Sequence, residues 1–204
     1  MATSDGGRFG VSMEYFGAIN PDGVSPFLKA YITSDKYCVV GYIGQGASMQ
    51  IASAWNSPFE GDNAGSIAGI ETVANMAQSV TATTSVSRWN SLMVWQGSQP
   101  PAFTLPLEFL AIDNPAIEVN GAITRLCQMI SPELNDTTPG GRRPYAVTLN
   151  IGRRLILADV VIQDVSYNID APKAFDGSYI SNVVNLQLSG MAVQNRSEIE
   201  KLFI

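Results

Sequence analysis

Histidine is missing from all 204 residues. Its absence removes the side chain most often used as a general base near neutral pH and the commonest ligand for transition metals, and with it any Ser-His-Asp arrangement. Charge is scarce: Asp, Glu, Lys and Arg make up 15% of the chain, where roughly 25% is usual for a soluble domain. Basic residues number 12 against 18 acidic ones, for a net charge of −6. A general nucleic-acid binder needs a basic surface, so that partner loses ground. No apolar run approaches the roughly 18 residues of a membrane-spanning helix. The opening Met-Ala-Thr-Ser-Asp-Gly-Gly-Arg has no signal-peptide apolar core, so the chain is expected to be neither inserted nor conventionally secreted. Cys38 and Cys127 are far apart in sequence; they read as buried free thiols of a reducing compartment, with a single disulfide between them as the alternative.

What the chain has in quantity is short β-branched and aromatic runs separated by Gly and Pro. Residues 1–25 carry five glycines and the turn Asn20-Pro21-Asp22-Gly23, and read as a mostly irregular arm. From residue 26 to 204 one mainly β domain with flanking helices is expected. Its early strands are Phe27 to Thr33, Tyr37 to Ile43 and Ser48 to Trp55. Gly41, Gly44 and Gly46 do not follow the G-x-G-x-x-G order of a dinucleotide fold and read as turn chemistry. Apolar spacing over residues 64–80 predicts a helical insertion, followed by a Ser/Thr-rich stretch that fits an extended connection or a flexible edge strand equally well and a run alternating around Trp89, Met93 and Trp95.

The clearest period-two segment places Phe103, Leu105, Leu107 and Phe109 inward. Pro106 lacks an amide hydrogen, which predicts an edge strand or a bulge there, and edges are where subunits join by strand addition. Asn114 caps a helix with Pro115 at its first position, and Ala116, Val119, Ile123, Leu126 and Ile130 form one face. Tyr145, Val147, Leu149 and Ile151 alternate in a further strand. From Gly152 to Gly190 two long β-branched runs flank the connection Ala171 to Gly177, a long antiparallel hairpin. In its second strand Val184, Leu186 and Leu188 face in, while Asn185, Gln187 and Ser189 face out. In its first, Leu155 to Val161 is apolar on both faces except Asp159, and is expected to lie deep. Residues 194–204 read as a short helix or docking tail.

Little here carries reaction chemistry. Asp159, Asp164, Asp170 and Asp176 allow a carboxylate-pair hydrolase to be drawn, but no sugar-binding aromatic platform or metal motif accompanies them, so solvated strand and turn residues are the better account. No enzyme, cofactor or metal is expected. Arg142-Arg143 and Arg153-Arg154 bracket the strand Pro144 to Ile151, roughly 30 Å apart if extended. They read as two small patches supplying inter-subunit ion pairs, or as ordinary solvated ends. Low charge with ample Gly, Asn, Gln, Ser and Thr points to a surface covered by other protein, with an uncharged monomeric surface as the alternative.

From Trp95 onward the chain resembles the tail-tube and baseplate-junction proteins of contractile-tailed bacteriophages and related injection systems. The residues that carry the likeness are Phe103 to Ile112, Asn114 to Ile130, Pro139-Gly140-Gly141, Pro144 to Gly152, Asp164-Val-Ser-Tyr with Asp176-Gly177, and the ending Asn182 to Ile204 with Gly190-Met-Ala-Val-Gln-Asn-Arg-Ser. The resemblance implies a tail-tube-like β-sandwich or partial barrel whose sheets join those of neighbours in a hexameric ring. It implies a structural virion protein made in the host cytoplasm, an adaptor between baseplate hub and tail tube that initiates tube polymerisation. Its partners would be copies of itself, tube and hub proteins and the tape-measure protein, with DNA passing through unbound. A tube subunit or neck-end cap is the same-fold alternative, and a monomeric β-sandwich binding module of a tail fibre is the alternative of another class. On this reading Phe103, Leu105, Pro106, Glu108, Arg142, Arg143, Arg153 and Arg154 belong to the subunit interface. Asp159, Gln163, Asn185, Gln187 and Ser189 would line the channel.

Overall fold

The computed structural model describes residues 13–56, 93–133 and 143–203. Along the described chain the strands are β1 Glu14–Gly17, β2 Lys29–Thr33, β3 Tyr37–Ile43, β4 Ser48–Gln50, β5 Ser53–Asn56, β6 Val94–Ser98, β7 Ala102–Leu110, β8 Val147–Ile151, β9 Leu155–Tyr167 and β10 Ser181–Gly190. Helix α1 spans Ala122–Ile130 and α2 spans Arg196–Leu202. Met1–Gln50 with Pro100–Ile204 form one compact unit and Ile51–Gln99 another.

In the larger unit six strands close on themselves in the order β3-β2-β8-β9-β10-β7, and β7 returns to β3 through Tyr42 opposite Glu108 and Ile43 opposite Leu107. This is a closed barrel, which leaves its own strands fewer free edges than the partial barrel expected. Alternation explains its filling, because every second residue of each strand points inward. Phe103, Leu105, Leu107 and Phe109 of β7 meet Val184, Leu186 and Leu188 of β10, with Leu157, Val160 and Ile162 of β9, Val147 and Leu149 of β8, and Ala30 and Ile32 of β2. The interior is therefore packed with side chains, and any channel has to lie outside the single barrel.

Three expectations need correction. The arm 1–25 contains a strand: β1 runs parallel to β3 with Glu14 opposite Tyr37 and Gly17 opposite Val40. Four residues are too few to show a period, and Gly17 is there because a Cβ would fall 2.0 Å from the Val40 carbonyl oxygen. Second, β7 is not an edge strand, since β10 covers one side and β3 with β4 share the other. The Pro106 carbonyl accepts from Gly44 N at 2.9 Å, so its ring nitrogen, on the same side of the strand, faces the break between β3 and β4 where no ladder donor is required. Third, β9 buries only one face. Val147 pairs with Val160 but Leu149 with Leu157, which inserts an extra residue at Ala158-Asp159, and Asp159 sits at φ 55° with its carbonyl accepting from Met191 N. Gln187 faces Asp164 but Leu188 faces Ile162, so Gln163 is a second bulge. Each bulge turns the side-chain phase over, and Ala158, apolar though it is, is exposed.

Asn114 does cap the helical segment, accepting from Ala116 N at 3.1 Å. The segment opens with a π-helical turn Ala116–Gly121 that runs into α1. The wider turn shifts the buried face: Val119, Ile123 and Leu126 are in the core as expected, Ala116 is exposed, and Glu118, Ala122 and Met129 are buried. At the C-terminus α2 forms, with Glu198 accepting from Asn195 N and Leu202 buried in the barrel core.

The smaller unit is described through its antiparallel pair β5–β6. Trp55 stands opposite Trp95, whose indole N–H donates to Ser53 Oγ at 2.9 Å, and both rings are about half exposed. The expected strand Ser48 to Trp55 is two strands, β4 and β5, one in each unit. The predicted helix 64–80 and the Ser/Thr-rich stretch lie outside the described residues.

Candidate functional site

Three surfaces of the larger unit gather the chemistry-bearing residues. The first is the outer face of the β9–β10 hairpin. Asn185 and Gln187 are exposed and Ser189 half-buried, alternating with the fully buried Val184, Leu186 and Leu188. Across the ladders Asn185 faces Ser166, Gln187 faces Asp164, and Thr104 Oγ1 donates to Gln187 Oε1 at 3.0 Å. Asp159 and Gln163 are exposed at the two bulges. The five residues expected at a channel wall thus all lie on the outside of the hairpin. Asp164 and Glu108, the latter opposite Val183, add carboxylates beside the amides.

The second surface holds the expected interface residues, and the fold separates them. Phe103 and Leu105 are 2% and 1% exposed inside the barrel, so their side chains are core and not interface. Pro106 is buried as well, under the Gly44 turn. Glu108 and Arg143 are exposed, and Arg142 lies outside the described residues. Arg153 and Arg154 sit on the β8–β9 turn, where Gly152 and Arg153 both have positive φ and Arg154 N donates to the Ile151 carbonyl. Three residues, Gly152 to Arg154, thus join the paired Ile151 and Leu155, a tight hairpin connection. Gly152 is required, because a Cβ would lie 2.6 Å from the Phe27 carbonyl oxygen. The two guanidiniums hover over Tyr31 at 5.8 Å and Phe27 at 5.9 Å, and neither forms an ion pair among the described residues.

The third surface could not be read from the sequence. Lys29, 7% exposed, reaches Asp22 Oδ2 at 2.7 Å and the Ala18 carbonyl at 3.2 Å, while the Tyr42 hydroxyl donates to the same Asp22 carboxylate. Burial works to raise the Asp22 pKa, but the hydrogen bonds from Lys29, Tyr42 and Val24 N, with the Lys29 charge, outweigh it and bring it down to about 2. Burial and the neighbouring Asp22 carboxylate push the Tyr42 phenol up, so it stays a proton donor. Close by, the Glu118 carboxylate accepts from Asn20 Nδ2, from Ile112 N and from Asp113 N. The ionised Asp22, with both oxygens engaged, makes a poor base but a firm strut: the cluster fastens residues 18–24 to the barrel. The only signal for it was Asn20-Pro21-Asp22-Gly23, which reads as a turn and is one, Asp22 Oδ1 accepting from Val24 N at 2.9 Å.

Beside the strut opens a cleft of about 610 Å³. Asp22, Tyr42 and Glu108 contribute polar groups, and Leu110, Ile112 and Val183 give it apolar walls. Cys38 and Cys127 are free thiols. Cys38 is buried and Cys127 half-buried, and burial raises the pKa of both, which disfavours the reactive thiolate. Compared with known proteins, the chain matches no family model and no curated sequence.

Proposed function

We propose that this chain is a structural subunit of a contractile phage tail, an adaptor between baseplate hub and tail tube that assembles as a hexameric ring and initiates tube polymerisation. The observation that carries the reading is the outer face of β10, where Asn185, Gln187 and Ser189 turn outward against a fully buried inner row. A wall of uncharged amides and hydroxyls, in a chain of net charge −6, suits a conduit that DNA and a tape-measure protein cross without sticking. The bulges at Ala158-Asp159 and Gln163 support the reading, since bulges bend a strand as ring curvature demands. On this proposal the protein has no enzymatic role. It is made in the host cytoplasm and resides in the virion at the baseplate end of the tube, with tube and hub proteins stacked on its two faces. A tube subunit or neck-end cap would use the same wall.

The cleft favours a second reading, a monomeric binding module, because a closed barrel satisfies its own strands and an open polar-apolar cleft is where such a module takes a ligand. Mass photometry and negative-stain imaging of the purified full-length chain separate the two. Rings are expected; a uniform population near 21.9 kDa would overturn the ring and leave the binding module.

A further inference from the structure

The β9–β10 connection ends in the most exposed large apolar side chain described: Phe175, at 111% of its reference exposure, makes no burying contact within the subunit. An exposed phenylalanine on a loose loop would mean little, but this connection is tightly organised. Ala174 N donates to the Ser178 carbonyl at 2.7 Å, Gly177 N to the Ala174 carbonyl at 3.0 Å and Ile180 N to the Pro172 carbonyl at 2.9 Å, closing a small hairpin with Phe175 at its apex. The Asp176 carboxylate is turned back onto Ser178, accepting from its N and Oγ at 3.0 Å each. Tyr179 anchors the base, its N–H donating to Asn120 Oδ1 at 3.0 Å and its ring meeting Tyr167 edge-on. A preorganised aromatic at the tip of a rigid projection loses little entropy on docking and is the kind of residue that dominates interface energy. Lys173 completes the tip, its ammonium 5.1 Å from the Tyr179 ring and unpaired with any carboxylate among the described residues.

The larger unit carries a surface of opposite character. In the cleft, Leu110, Ile112 and Val183 are each 37–54% exposed and offer an apolar wall, with the exposed Glu108 carboxylate beside it. Ala171 and Pro172 form part of the cleft lining, so the loop leaves from the rim while its apex stands clear. An aromatic ring with a flanking ammonium fits an apolar cleft with a flanking carboxylate, and the cleft volume of about 610 Å³ leaves ample room for one phenyl ring.

We infer that the Phe175 tip of one copy plugs the cleft between β3, β7 and β10 of a second copy of this chain, with Lys173 against Glu108. Plug and socket differ, so the contact is head-to-tail, the class that closes into a ring when its rotation permits. The inference rests on the ring reading proposed above and names the contact that builds it.

The test measures self-association of the full chain by sedimentation velocity across concentration, with a thermal melt for each variant. Phe175→Ala should weaken association about tenfold or more and leave the melt unchanged. Glu108→Lys and Lys173→Glu should each weaken it, and their combination should recover most of the loss. Wild-type rings with equally associating Phe175→Ala rings would overturn the plug and leave the ring reading standing. Weaker association of Phe175→Ala without rescue by the charge swap would overturn the socket. A wild-type chain that stays monomeric at every concentration would overturn both this contact and the ring.

Discussion

Asp22 shows how a single turn residue can hold part of a fold to the rest. Its carboxylate is brought from the ordinary 3.8 to about 2 in the folded chain, so folding favours the ionised form. A depressed acid contributes stability that is present above its unfolded pKa and lost as pH falls through the folded one. The melting temperature should therefore drop between about pH 4 and pH 2, with a contribution from this group on the order of 1–2 kcal/mol. In Asp22→Asn that part of the acid limb should be gone, which thermal melts of both proteins across the window would show; an unchanged acid limb would mean that Lys29 and Tyr42 do not hold the ion. A contrasting pair sits in β10. Leu186, fully buried, should cost about 2–5 kcal/mol on truncation to alanine because a cavity remains. Its exposed neighbour Asn185 should stay within about 0.5 kcal/mol, as chemical denaturation of the two variants would check.

At the scale of elements, what could be read from the sequence was whatever kept a clean period. β7 and β10 alternate without interruption, so their inward rows Phe103 to Phe109 and Val184 to Leu188 were legible residue by residue. β9 was legible as a strand but not by face, because its two bulges reset the phase and bulges leave no periodic trace. The π-helical turn did the same to the helix, moving Ala116 out and Glu118 in. The strut of Asp22, Lys29, Tyr42 and Glu118 was not legible, since its members come from a turn, two strands and a helix, and only the closed barrel brings them together. Proline in β7 was a true signal with a wrong inference. It marks a break between two partners, not an open edge. Replacing Pro106 by alanine should thus leave stability nearly unchanged, whereas Glu108→Pro, opposite Tyr42 on one side and Val183 on the other, should cost about 3 kcal/mol or more. Equal stabilities of these two variants in urea would show that β7 is free on one side.

In the proposed ring, one surface of each copy would face a lumen. The closed barrel is filled, so a ring of six copies would have to build its hole from outer faces, and two candidates differ in chemistry. The β9–β10 face offers Asn185, Gln187 and Ser189 with Asp159, Gln163 and Asp164, while the β8–β9 turn offers Arg153 and Arg154. A guanidinium-lined hole would release counterions from passing DNA and hold it; an amide wall with scattered carboxylates would not. If the hairpin face is the wall, placing lysine at Asn185 and Gln187 should leave the rings intact, because both side chains are exposed, yet convert them into DNA-retaining rings. Retention should weaken as salt rises, with a log–log slope of roughly 0.7–0.9 for each phosphate contacted. Charge reversal at Arg153 and Arg154 should instead impair assembly without creating or removing DNA retention, since their expected partners are acidic side chains of neighbours. Filter binding on assembled rings at two or more salt concentrations distinguishes the surfaces. Wild-type rings that hold DNA, and lose it when Arg153 and Arg154 are reversed, would put the arginine turn at the hole and move the hairpin face to the outside of the ring.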